Sequence, residues 1–92
     1  MLYLVHMVVT VPETLPAHEF DALKATEKAL AQDLQRSGKW AQLWRVVGEY
    51  ANYSIFDVAS NDELHEILSS LPLFPYMNVT VTPLAHHPSR ID

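Results

Sequence analysis

Glu27 is a carboxylate where an apolar residue belongs. Phe20, Leu23, Leu30 and Leu34 recur at helical spacing, and residue 27 is the position their three–four alternation leaves open. A carboxyl group among leucines is poorly solvated as an anion, so its pKa is driven up toward neutrality. That is the tuning needed by a general base that takes a proton and gives it back. Two structural accounts compete with that role. Glu27 can pair with Arg45 or Lys24, or it can reach out past a stripe rotated toward Thr26. Arg45 is the second charge in an apolar setting, inside Leu43-Trp44-Arg45-Val46-Val47. A cation there requires a carboxylate, a ligand or solvent at an open edge. Lys24 and Lys28 stand one helical turn apart, either as part of a solvated face or flanking an anion. His86 and His87 are adjacent in a polar tail and lack a third ligand at useful spacing, so no metal site is expected.

These residues need elements to position them. Trp40 to Val58 is the segment richest in aromatic and β-branched residues, and Gly48 interrupts it where a reversal is required. The pattern predicts a hairpin with strands near 41–47 and 52–58. Leu2 to Val11 reads as a strand with two largely apolar faces, both expected to be covered, and Pro12 ends it. A helix is predicted from Thr14-Leu15-Pro16 to about Ser37, stopped by Gly38. Ser60-Asn61-Asp62-Glu63 is a capping box ahead of Leu64, Ile67, Leu68 and Leu71. Pro72 to Tyr76 is a stiff apolar loop, either a packed connection or a pocket wall. Met77 to Thr82 alternates as a strand, with Pro83 expected to stop it, and residues 84–92 read as irregular. The order strand, helix, strand, strand, helix, strand is the ferredoxin-like βαββαβ pattern of the α+β class. It gives a four-stranded antiparallel sheet with two helices on one face. The other face would then pack against a second copy.

Bulk properties narrow the classes. Ninety-two residues predict one domain with a small core, and nearly half of them are hydrophobic. There is no cysteine, which excludes disulfides, thiolate catalysis and zinc–thiolate sites. A net charge of −5 with scattered basic residues argues against nucleic acid and anionic membranes as partners. The apolar start, Met1 to Val9, has no basic flank and is too short to span a bilayer. A soluble cytoplasmic protein is the simplest expectation.

Several segments together resemble one family. Leu43-Trp44-Arg45, Tyr50-Ala51-Asn52-Tyr53-Ser54, Phe56-Asp57-Val58 and Leu71-Pro72-Leu73-Phe74-Pro75-Tyr76-Met77 are similar to muconolactone Δ-isomerases. So are Leu23-Lys24-Ala25, Glu27-Lys28, Leu34-Gln35-Arg36 and His87-Pro88-Ser89, and the likeness runs over essentially the whole chain without gaps. His6, Thr26 and Glu49 depart from the family pattern. The resemblance implies a ferredoxin-like fold and a cofactor-free isomerase of the β-ketoadipate pathway, assembled from dimers into a ring-shaped decamer. The implied reaction is a 1,3-proton shift through a dienolate in a small anionic lactone. For that chemistry Glu27 is the candidate base. Tyr76, Asn52 and Tyr50 are candidate donors to the developing oxyanion. Arg45 is the candidate for gripping the substrate carboxylate, with Lys24 and His6 in reserve. Trp40 and Phe74 are candidate walls. A chloromuconolactone dehalogenase remains an alternative on the same scaffold. A non-catalytic dimeric α+β module that binds a small acid is the alternative from another class.

Overall fold

The computed structural model describes residues 1–92. Its elements are β1 (Leu2–Val9), α1 (Ala17–Arg36), β2 (Trp40–Arg45), β3 (Ala51–Asp57), α2 (Asn61–Ser70), a 3-10 turn at Phe74–Tyr76, and β4 (Met77–Leu84). The four strands form one sheet in the order β2-β3-β1-β4, and every neighbouring pair is antiparallel. This is the βαββαβ arrangement that the hydrophobic periodicities predict.

Strand parity decides what faces the helices. Tyr3, Val5 and Met7 point to one side of β1 and are almost fully buried. With Phe56 and Trp40 from the hairpin, Ala31 from α1, and Leu64 and Leu68 from α2, they form one core. Both helices therefore cover the same face. The other face carries Leu4, His6 and Val8 from β1, which are only half-buried. The expectation that both faces of β1 are covered fails within one chain. On that second face Trp44, Tyr53, His6 and Thr80 lie opposite one another across the four strands. The His6 and Tyr53 rings stack with centroids 4.4 Å apart.

Element boundaries differ from the sequence reading where neighbours change. Strand β1 ends at Val9, because β3 stops pairing with it at Val8–Ala51 and β4 at Val9–Met77. Helix α1 starts after Pro16, which caps it without a side-chain hydrogen bond. Gly38, at φ +84°, turns the chain away after Ser37. Strand β2 stops at Arg45, and Val46 and Val47 belong to the turn around Gly48 at φ +81°. Arg45 thus ends the strand instead of lying inside it. Strand β4 runs through Pro83 to Leu84, with Pro83 paired opposite Tyr3. Proline is tolerated there because β4 is an edge strand, and the missing N–H falls on the side without a partner.

The capping box forms as expected at its first contact. Ser60 Oγ accepts from the Glu63 N–H at 3.1 Å. The Glu63 carboxylate reaches one residue further back, accepting from the Ala59 N–H at 2.8 Å and from Lys39 Nζ at 3.1 Å. These bonds hold the Glu63 pKa below its ordinary value, chiefly through the Ala59 N–H and then Lys39. Ser60→Ala is expected to lower the unfolding free energy by about 1 kcal/mol. Urea denaturation followed by circular dichroism measures that difference.

Candidate active site

Helix α1 presents Phe20, Leu23, Glu27, Leu30 and Leu34 half-buried along one stripe, with Ala31 buried beside them. The stripe continues the expected helical phase through the carboxylate. Where α1 passes over β2 and the start of β3, a cleft of about 450 Å³ opens. Glu27 and Ala31 lie on its helix side, and Trp40, Arg45 and Asn52 on its sheet side, with Leu73 also lining it. A cleft of this size suits a small ligand.

The Glu27 Oε1 atom accepts a hydrogen bond from the Leu73 N–H at 3.0 Å. No lysine or arginine lies within ion-pair distance of it; the ion pairs at this end of the molecule join other groups. The pairing of Glu27 with Arg45 or Lys24, one of the structural accounts, is therefore absent. Burial raises the Glu27 pKa above the ordinary carboxylate value, and the Leu73 N–H opposes this only in part. The result is a carboxylate that is oriented by one backbone donor, borders open space and binds a proton more readily than usual. Those are the properties of a general base.

The charged side chains lining the cleft are Lys24, Glu27, Lys28 and Arg45. Lys24 pairs with Asp21 at 3.3 Å and sits 4.8 Å from the centroid of the Phe20 ring. The Arg45 guanidinium lies 5.2 Å from the Tyr50 ring centroid, with Nη1 3.5 Å from the Glu49 carbonyl oxygen. A cation–π contact of this kind holds the guanidinium over the ring and leaves donors available. Trp40 is 3% exposed and packs on Phe56 with centroids 4.8 Å apart. Its indole N–H is buried and has no hydrogen-bond partner.

Asn52 is set by its neighbour two residues on. Ser54 is wholly buried, and its Oγ donates to Asn52 Oδ1 at 2.7 Å. The amide oxygen is thereby occupied, and the amide NH2 is left as the donor for a ligand. Ser54→Ala should leave the protein folded and reduce kcat/KM about fivefold, the equivalent of roughly 1 kcal/mol for one neutral hydrogen bond. Steady-state kinetics on the folded variant checks this.

The structure brings Glu27, Arg45, Asn52, Tyr50, Trp40 and Lys24 to one cleft. It does not bring His6, Phe74 or Tyr76 there. His6 has the opposite parity to Tyr3, Val5 and Met7, so it lies on the face away from the helices, stacked on Tyr53. Phe74 packs against the core. Tyr76 takes part in the sheet end through its backbone, its N–H donating to Leu73 and its carbonyl accepting from Thr10. Lys28, Gln32 and Gln35 also line the cleft; of these the sequence marks Lys28, as one of two lysines able to flank an anion, and not the two glutamines. All three follow Lys24 at successive helical turns, and that spacing is the signal that would mark them together.

Comparison with known proteins gives a consistent result. A family model described as muconolactone delta-isomerase matches residues 1–90. A muconolactone delta-isomerase of Cupriavidus pinatubonensis is 68% identical over 91 residues, covering 99% of this chain and 99% of that protein. One from Acinetobacter lwoffii is 60% identical over 91 residues, covering 99% of this chain and 95% of its own length. Among solved structures, a crystal structure of muconolactone isomerase aligns with a TM-score of 0.95 at 52% identity, covering 100% of this chain and 96% of its own.

Proposed function

The chain belongs to the muconolactone delta-isomerase family, and from that premise we propose that it converts muconolactone to the 3-oxoadipate enol-lactone by a 1,3-proton shift. The observation that carries the reading is the Glu27 carboxylate, unpaired, proton-hungry and on the wall of the cleft.

In this reading Glu27 takes the proton from the ring carbon that bears the carboxymethyl arm. The electron pair of that C–H bond passes into the conjugated system, and a dienolate forms with its charge on the lactone carbonyl oxygen. Glu27 then returns the proton to the carbon next to the carbonyl, and the double bond has moved. The conjugated carbonyl itself accepts the charge, so the step calls for no cofactor. Arg45 binds the substrate carboxylate, as guanidinium does bidentately. Asn52 and Tyr50 supply donors, and Trp40 walls the ring. Lys24 stays with Asp21. His6, Phe74 and Tyr76 do not line the cleft of this chain.

The same reading places the protein in the catechol branch of the β-ketoadipate pathway, in the cytoplasm. No helix of the chain is long and apolar enough to cross a membrane. It also makes the protein a homo-oligomer of dimers forming a decamer. The uncovered sheet face, with Trp44 54% and Tyr53 43% exposed, supports association of copies; the number ten is what the family resemblance implies.

Purified protein mixed with muconolactone in deuterium oxide tests the activity. The expected result is a change in ultraviolet absorbance on mixing, with deuterium at the carbon beside the product carbonyl only to the extent that the proton on Glu27 exchanges with solvent before it is returned. No turnover of muconolactone overturns the reading.

A further inference from the structure

Charge balance in the cleft points to a residue that the proton-transfer scheme leaves unused. Of the three cations lining the cleft, Lys24 is paired with Asp21 at 3.3 Å. Arg45 and Lys28 remain. Arg45 is held by the Tyr50 ring and the Glu49 carbonyl oxygen. Lys28 makes no hydrogen bond and no ion pair; the lysines that do are Lys24 and Lys39. Against these two cations stand two negative charges once substrate is bound, the Glu27 carboxylate and the carboxylate of the lactone. The sum is zero only if both Arg45 and Lys28 take part.

The two negative charges behave differently during the reaction. The substrate carboxylate is present from start to finish. The other charge moves: when Glu27 gains the proton it becomes neutral, and the dienolate oxygen becomes the anion. A planar guanidinium held over an aromatic ring suits the static carboxylate. A flexible ammonium with three rotatable donors suits a charge that changes place. Lys28 follows Glu27 directly on α1, and both line the same cleft.

We propose that the Lys28 ammonium is the counter-ion of the travelling charge, donating to the lactone carbonyl oxygen as the dienolate forms. This rests on the isomerase reading above and deepens it. Lys28 is then a catalytic residue, and its contribution belongs to the transition state instead of to substrate binding.

The test compares Lys28→Met, Lys28→Arg and Arg45→Met on muconolactone and on its methyl ester, which lacks the carboxylate charge. Lys28→Met should lower kcat about 10²-fold, as loss of one oxyanion donor does, with KM within about threefold of the parent. Lys28→Arg, which keeps the charge, should recover most of the loss. The Lys28→Met defect should persist on the ester, whereas the Arg45→Met defect should vanish there. Circular dichroism reports that each variant is folded. A kcat for Lys28→Met within threefold of the parent overturns the proposal. So does a defect that appears in KM and disappears on the ester, which would make Lys28 a carboxylate ligand. A parent protein that turns over neither compound overturns the isomerase reading itself, and the proposal falls with it.

Discussion

Glu27→Gln is expected to lower kcat on muconolactone by about 10²–10⁴-fold, the usual contribution of general acid–base catalysis. The fold should survive, because the glutamine carbonyl oxygen can still accept from the Leu73 N–H that Glu27 uses at 3.0 Å. Stability provides an independent readout. Burial raises the Glu27 pKa in the folded state, so the folded protein holds this proton more tightly than the unfolded chain does. Between the ordinary carboxylate pKa and the raised one, stability therefore falls as pH rises. Above both values the full penalty of a desolvated carboxylate is present. Glutamine carries no such penalty. At neutral pH the variant should be at least as stable as its parent, and catalytically almost silent. Denaturant titrations at pH 5 and pH 8 measure the first part; initial rates measure the second. In the parent, kcat/KM should rise with pH along an acid limb displaced above the ordinary carboxylate range, and Glu27→Gln should abolish that limb. Near-parental turnover in the variant would remove Glu27 from the mechanism.

Arg45→Met should raise KM for muconolactone roughly 10- to 150-fold, which corresponds to about 1.5–3 kcal/mol for a hydrogen bond to a charged group, with kcat little changed. The guanidinium is solvent-exposed at the end of β2, over the Tyr50 ring. Methionine keeps most of the side-chain length and the apolar contact, so the change isolates the charge. Sedimentation of the variant separates binding from assembly. An unchanged KM together with a lost assembly would assign Arg45 to subunit contacts.

Much of this could be read before any coordinates. The place of Glu27 followed from helical phase, since Leu23 and Leu30 fix the face on which residue 27 must lie. The period of two separates Tyr3, Val5 and Met7 from Leu4 and His6 as the two faces of β1, but both faces are largely apolar, and which of them meets the helices is fixed only by packing. His6 has the opposite parity to Val5, so once the helices lie on the Val5 face it falls outside the cleft. Three features lay beyond local pattern. Val46 and Val47 have strong strand preferences, yet the turn at Gly48 claims them, because propensity does not register where a partner strand ends. The donor to Glu27 comes from Leu73, 46 residues away, and no spacing rule relates the two. The hydroxyl that orients Asn52 belongs to Ser54, whose burial depends on the packed sheet. Lys28 was legible as one turn from Lys24. Lys28 is the partnerless one of the two because Asp21 lies three residues before Lys24 and pairs with it.

Pro83 has a consequence for how copies of this chain can meet. It occupies the outermost strand, opposite Tyr3, with its ring nitrogen where an intruding strand would look for a rung. A newcomer sliding along that rim finds a gap in the ladder and loses its grip there. Lateral stitching of one sheet onto another is thus discouraged at β4, while the β2 edge and the exposed face stay open. One imino acid near the end of the chain in this way guards against runaway fibre growth.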